Sequence, residues 1–138
     1  MKNKNKSLKD KSKKWLKSHL DDEFVRKSIS DNYRSRAAYK LVEIIDKYKI
    51  LLGAKNVIDL GSAPGSWCQV LKNQGKGLNS IIAVDILEMA EIKGVTFYQS
   101  DFLSSEFKII SKTVGAFDLV LSDISPNLSG NKVSDFLL

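Results

Sequence analysis

Between Ala37 and Tyr48 the apolar residues Ala37, Leu41, Ile44, Ile45 and Tyr48 fall at helical spacing, which predicts one helix with a single apolar stripe. Arg36 and Lys40, four residues apart, are expected to share another face of it. Lys49 to Ala54 closes that helix, with Gly53 at the turn. The period then changes. Val57–Leu60, Ser80–Ile86 and Phe117–Ser122 are short, nearly continuous apolar runs, and Val95–Gln99 alternates; all four read as strands. Ser66–Asn73, stopped near Gly75, and Ser104–Lys112 read as the helices between them. Strand and helix in turn predict an α/β fold: a parallel sheet flanked by helices. Upstream, Trp15, Leu16, Leu20, Phe24 and Val25 are scattered anchors that suit one or two short surface helices, and Met1–Ser12 reads as a mobile basic arm. The expected division is an arm with a short helical segment over residues 1–30 and a single α/β domain over 31–138.

The richest junction is Asn56-Val57-Ile58-Asp59-Leu60-Gly61-Ser62-Ala63-Pro64-Gly65-Ser66-Trp67, where a strand meets a helix through a turn with two glycines and a proline. This is the opening of a nucleotide-binding βα unit. Gly61 suits the tight turn, and Gly65 lets backbone approach a ligand with no Cβ between them. Ser66 with Gln69 has capping-box spacing, so the helix is expected to start there and aim its positive end at the loop. A dinucleotide site wants G-x-G-x-x-G, but Ala63 and Ser66 stand at the second and third glycine places, and Pro64 removes an N–H donor. The loop therefore favours a ligand without a pyrophosphate. An ordinary Gly-Pro turn remains the alternative for the loop taken alone.

Each predicted strand ends in or near an acid: Asp59, Asp85, Asp101 and Asp123. In open parallel sheets ligands bind beyond the carboxyl ends of the strands, so these four carboxylates are expected to gather on one edge. Asp85 lies about 20 residues past the glycine turn, where a carboxylate meets ribose hydroxyls. Asp101 would accept from an adenine amine, and Asp59 would brace the loop by accepting backbone N–H bonds. Singly, such acids are also common as turn formers and helix caps.

Composition narrows the class. The chain has 138 residues, 43% apolar and 28% charged, which suits one globular domain. No window approaches the roughly 20 apolar residues of a membrane span, and the lysine-rich start has no signal-peptide core. One cysteine, Cys68, excludes an internal disulfide framework and fits a reducing, cytoplasmic setting; with the single His19 it leaves no metal-site spacing. His19 is expected to be structural. The net charge of +6 is uneven: residues 1–40 carry thirteen basic against five acidic side chains. That asymmetry fits an acidic partner. A drift towards AT-rich codons would also multiply lysines, although Arg34 and Arg36 run against that drift.

These motifs together resemble one family. Asp59-Leu60-Gly61-Ser62-Ala63-Pro64-Gly65-Ser66-Trp67 looks like the first motif of the FtsJ/RlmE-type RNA 2′-O-ribose methyltransferases. Trp15-Leu16 with His19 and Asp22, then Tyr33-Arg34-Ser35-Arg36-Ala37-Ala38-Tyr39-Lys40-Leu41, is similar to its N-terminal signature. Leu121-Ser122-Asp123-Ile124-Ser125-Pro126-Asn127 with Ser129-Gly130 is similar to its fourth motif. The resemblance spans about Ser12 to Asn131 and implies a partial Rossmann-like S-adenosylmethionine methyltransferase fold. It implies S-adenosylmethionine as cofactor, a uridine ribose of large-subunit (23S) ribosomal RNA or the 50S particle as substrate, and a monomer needing no metal. Gly61 would bind the cofactor, Gly65 and Trp67 would sit at its methionine end, Asp85 would hold the ribose, Asp101 the adenine, and Asp123 would lie beside the methionine part and the methyl group. Arg34, Arg36 and the N-terminal lysines would bind phosphates. Lys40 and Asp123 match the first two members of the family's Lys-Asp-Lys-Glu catalytic tetrad. The second Lys and the Glu lie beyond Leu138 in the family, so the expectation is a truncated chain with missing C-terminal strands, an exposed fourth strand, and weak or no transfer of its own. A non-catalytic RNA-binding remnant and a nicotinamide-dependent oxidoreductase domain are the competing readings.

Overall fold

A computed structural model describes residues 10–14, 16–17 and 22–124. Residues 1–9 of the basic arm, Trp15, His19, Leu20, the Ser125-Pro126-Asn127 and Ser129-Gly130 parts of the fourth motif, and the C-terminal residues up to 138 lie outside the described residues. Helix α1 spans Glu23–Ser30 and is capped by Asp22, whose carboxylate accepts from the Phe24 and Val25 N–H groups. Helix α2 spans Ala38–Tyr48 and ends at Lys49 in the left-handed region, a common helix stop. Strand β1 (Asn56–Leu60), helix α3 (Ser66–Gln74), strands β2 (Ser80–Asp85) and β3 (Thr96–Gln99), helix α4 (Ser105–Val114) and strand β4 (Leu119–Ser122) follow.

The strands form one sheet in the order β3-β2-β1-β4, every neighbouring pair parallel. The α/β sheet read from the apolar runs is present, with element bounds within one or two residues of those expected. Register puts Leu60 level with Val84 and Ser122, so the tips of β1, β2 and β4 finish flush on one edge. Period-2 alternation sends Val57, Ile81 and Ala83 to one face, where they pack with Leu41 of α2 and Trp67, Val70 and Leu71 of α3. Ile58, Ile82 and Val84 face the other way, towards Phe107 and Val114 of α4.

Three expectations need correction. The buried stripe of α2 is Ala38, Leu41 and Ile45, while Tyr48 is 64% exposed. The core wants small and branched side chains against α3, and Tyr48 at the last turn projects past it. Arg36 does not share a helix face with Lys40, because it precedes α2 and its guanidinium pairs with Asp22. Ser66 and Gln69 form no capping box: Gly65 is the N-cap and no side chain caps it. The two polar side chains instead bind residues 32–35, and a long-range tie displaces the local one. Strand β4 pairs with β1 alone among the described residues, and Val120 on it is 60% exposed. Among the described residues no helix is long and apolar enough to cross a membrane.

Candidate active site

The loop after β1 is folded back onto β2. Gly61 and Ser62 donate their N–H groups to the Val84 carbonyl at 2.8 and 3.1 Å, and Ala63 donates to Asp85 Oδ2 at 2.9 Å. Gly61 (φ +76°) and Gly65 (φ +113°) take the backbone conformations that make this turn possible. Asp85 also accepts from the Leu87 N–H at 2.8 Å, so its two oxygens fasten the loops on either side of the β2 tip.

The segment before α2 is sewn to the first turn of α3. Ser35 Oγ and Ser66 Oγ are 2.8 Å apart, Gln69 accepts from the Arg34 N–H at 2.8 Å and donates to the Asn32 carbonyl, and Trp67 Nε1 donates to the Ala37 carbonyl at 2.8 Å. This strap fixes the start of α2, and with it Lys40. Lys40 Nζ lies 2.5 Å from Asp123 Oδ1, beyond the tip of β4. Two residues 83 positions apart in the chain thus form one ion pair.

Between strap, loop and pair lies a hollow of about 80 Å³, walled by Ser35, Asp59, Gly61, Ser62, Trp67 and Asp123 among others. Asp59 is 2% exposed, and its hydrogen-bond donor is the Cys68 thiol at 3.4 Å. Burial pushes its carboxyl up to about 7; the thiol opposes that shift, and the carboxylates of Asp85 and Asp123 add to it. Burial and the same carboxylate push the Cys68 thiol up as well, so it is inert as a nucleophile. Ser62 Oγ is buried with no hydrogen-bond partner among the described residues. A larger open groove of about 760 Å³ lies over α1 and α2, walled by Phe24, Lys27, Tyr39, Asp46 and Leu52. It meets neither the strand tips nor the glycine loop, so size does not make it the site. No group of three or more His, Cys, Asp or Glu able to hold a metal occurs among the described residues.

The anticipated site residues are therefore partly gathered. Gly61, Trp67, Asp123 and, across the ion pair, Lys40 converge on the hollow, and Gly65 N-caps the helix beside it. Asp85 stands next to the hollow, holding the loop. Asp101 opens a short turn of its own, accepting from the Leu103 N–H at 2.9 Å, and is exposed. Asp59 was expected to brace the loop by accepting backbone N–H bonds; Asp85 and the Val84 carbonyl do that, while Asp59 walls the hollow. Its position inside an otherwise apolar strand was the available signal, because a buried carboxyl needs a reason. Arg34 donates its guanidinium N–H groups to the Pro64, Ala90 and Glu91 carbonyls, and Arg36 pairs with Asp22 with its side chain 51% exposed.

A sulfonium amino-acid cofactor fits this donor set. The Asp59 and Asp123 carboxyl groups would suit a cationic group, the Ser62 hydroxyl has no partner among the described residues, and among them no arginine or lysine lines the hollow to take a pyrophosphate. The hollow is small beside typical ligand clefts of ~300–1,000 Å³, a match for one end of such a molecule.

The family described as FtsJ-like methyltransferase matches residues 33–138. The chain is 48% identical over 122 residues to ribosomal RNA large subunit methyltransferase E of Methylobacillus flagellatus, covering 86% of this chain and 59% of that one. It is 43% identical over 134 residues to the protein of the same name in Acinetobacter baylyi, covering 95% and 62%. A solved structure from Plasmodium falciparum, described as a ribosomal RNA methyltransferase, superposes with a TM-score of 0.65 at 38% identity, covering 76% of this chain and 63% of the other. The chain thus spans about three fifths of the length of the curated relatives it matches.

Proposed function

The chain belongs to the FtsJ-like methyltransferase family, and from that premise we propose that its hollow is the cofactor end of a site for S-adenosylmethionine-dependent 2′-O-methylation of a uridine ribose in 23S ribosomal RNA. The observation that carries this reading is the Lys40–Asp123 pair at the mouth of a carboxylate-walled hollow beside the glycine loop. The bound cofactor supplies an electrophilic methyl on a sulfonium. Asp59 and Asp123 present negative charge to its cationic end, where a positive charge also favours the ionised form of Asp59. Ser62 Oγ offers a hydrogen bond to its polar groups. Trp67, locked through its indole N–H to Ala37, keeps that wall rigid. Asp123 holds Lys40 at the rim, where the ammonium can donate a hydrogen bond to a ribose hydroxyl and orient its oxygen towards the methyl. Much of the acceleration in such a reaction comes from holding hydroxyl and methyl in register, which suits a strap tied at several points. Asp85 and Asp101 are the proposed ribose and adenine contacts, each with lone pairs left over beyond the two loop bonds of Asp85 and the one of Asp101.

The proposed RNA is the large-subunit ribosomal species, alone or in the 50S particle, met by a monomer in the cytoplasm. Arg36 and the N-terminal lysines are the proposed phosphate contacts, and their binding should weaken steeply with salt. Incubation with methyl-labelled S-adenosylmethionine and unmodified 50S particles tests the reading. Transfer is expected to be weak, and what label there is should sit on a ribose, where it blocks alkaline cleavage of the adjacent phosphodiester. Label on a base, or a thermal shift with NAD in place of S-adenosylmethionine, overturns it.

A further inference from the structure

The Arg34 guanidinium bridges two stretches of chain that otherwise share no strand or helix. It donates through Nη1 to the Pro64 carbonyl at 2.9 Å and the Ala90 carbonyl at 2.7 Å, and through Nη2 to the Glu91 carbonyl at 3.0 Å. Pro64 belongs to the glycine loop. Ala90 and Glu91 belong to the irregular connection between β2 and β3. We propose that Arg34 is a positioning residue that clamps the glycine loop to the β2–β3 connection and thereby sets cofactor affinity, rather than a phosphate contact for RNA. This rests on the cofactor reading given above.

Four observations carry it. The guanidinium is a rigid planar fork of five donors, and here three bonds from it reach three carbonyls. Donors facing main-chain carbonyls at those distances are not presented to a phosphate. The backbone of Arg34 is itself held, its N–H bound to Gln69 Oε1 at 2.8 Å, so the clamp is anchored to α3. The contact is also close: a Cβ on Gly65 would stand 2.8 Å from Arg34 Nη1 and 3.1 Å from both Met89 Sδ and Ile92 Cδ1. Glycine at 65 therefore lets the guanidinium and the β2–β3 connection lie directly against the loop. Residues 86–95 contain no helix or strand, so their shape depends on such ties. A lysine would keep the charge, but its three donors share one nitrogen and cannot reproduce the planar fork that reaches these carbonyls from Nη1 and Nη2.

The test compares the full chain with R34K, R34A and R36A. Affinity for S-adenosylmethionine is read by calorimetry, affinity for an rRNA fragment by its salt dependence, and loop order by amide hydrogen exchange at residues 61–66 and 87–92. For R34A the cofactor Kd is expected to rise about tenfold or more as the pre-organised loop is released. Exchange should quicken in both loops together, and RNA affinity should stay within about twofold of the unaltered chain. R34K should resemble R34A, because the charge is kept and the fork is lost. Cofactor affinity unchanged in both variants, rescue by R34K, or RNA affinity lost while the cofactor Kd stays put would each overturn the proposal. Should R34A fail to fold, R34K alone decides. Should the unaltered chain not bind S-adenosylmethionine, the cofactor reading fails instead, and hydrogen exchange in R34K still decides whether Arg34 clamps the two loops.

Discussion

The two faces of the sheet are built to different densities. On one, α2 and α3 bury Leu41, Val70 and Leu71 completely against Val57 and Ala83. On the other, α4 has no buried residue and covers Ile58, Ile82 and Val84 with side chains that are themselves only partly buried. The candidate site stands on the dense face: Asp59 touches Cys68 of α3, the strap ties to Ser66, Trp67 and Gln69 of α3, and Lys40 rides on α2. A site that must hold charged groups within fractions of an ångström gains from rigid neighbours, and the dense face provides them.

The sharpest way to break this comparison is truncation on each face. Leu71→Ala is expected to cost about 4 kcal/mol and Val114→Ala about 1 kcal/mol in urea unfolding, because only the first leaves a closed cavity. Equal costs would erase the distinction.

The next effect probes the charge hidden under the dense face. The Asp59 carboxyl is pushed from 3.8 up to about 7 by burial, so the folded state favours its protonated form. Its favourable contribution is complete below about pH 4 and is lost as pH rises through about 7. Asp59→Asn removes the titration. It should raise stability at pH 8 by on the order of 2 kcal/mol and flatten the pH profile between pH 4 and 7. Unfolding midpoints at pH 5 and pH 8 check this; a variant that keeps the unaltered chain's slope contradicts it.

Two smaller effects separate loop strain from surface charge. Gly61→Ala should cost about 1–2 kcal/mol, because a Cβ there must accept φ +76° and would stand 2.4 Å from Ile124 Cγ1. Lys40→Ala should change stability by no more than about 0.5 kcal/mol, since the pair with Asp123 is largely exposed. A large stability loss in Lys40→Ala would recast that pair as a structural element.

The difference between the faces also explains what could be read beforehand. The apolar runs and their acids revealed four strands, because a central parallel strand must be apolar on both sides, and β1 and β2 are. The Lys40–Asp123 meeting came from resemblance to a family motif, since no local pattern joins residues 83 apart. Bracing of the loop falls to Asp85 where Asp59 was expected: chain spacing places both at or near strand tips, but side-chain direction decides which one binds the loop N–H groups and which one walls the hollow. The three carbonyls that Arg34 faces were not legible beforehand, because composition counts charges and does not see what they bind. Ser35, Ser66 and Gln69 carried no warning of the strap, as their partners lie 31 and 35 residues away.

The central claim is that the carboxylate-walled hollow beside Gly65 takes an adenosyl sulfonium. Calorimetric titration of S-adenosylmethionine into the full chain, beside an identical titration of NAD, tests it most directly. Saturable one-to-one heat is expected with S-adenosylmethionine and only heat of dilution with NAD. Dilution heat alone with S-adenosylmethionine, or saturation with NAD, would contradict it.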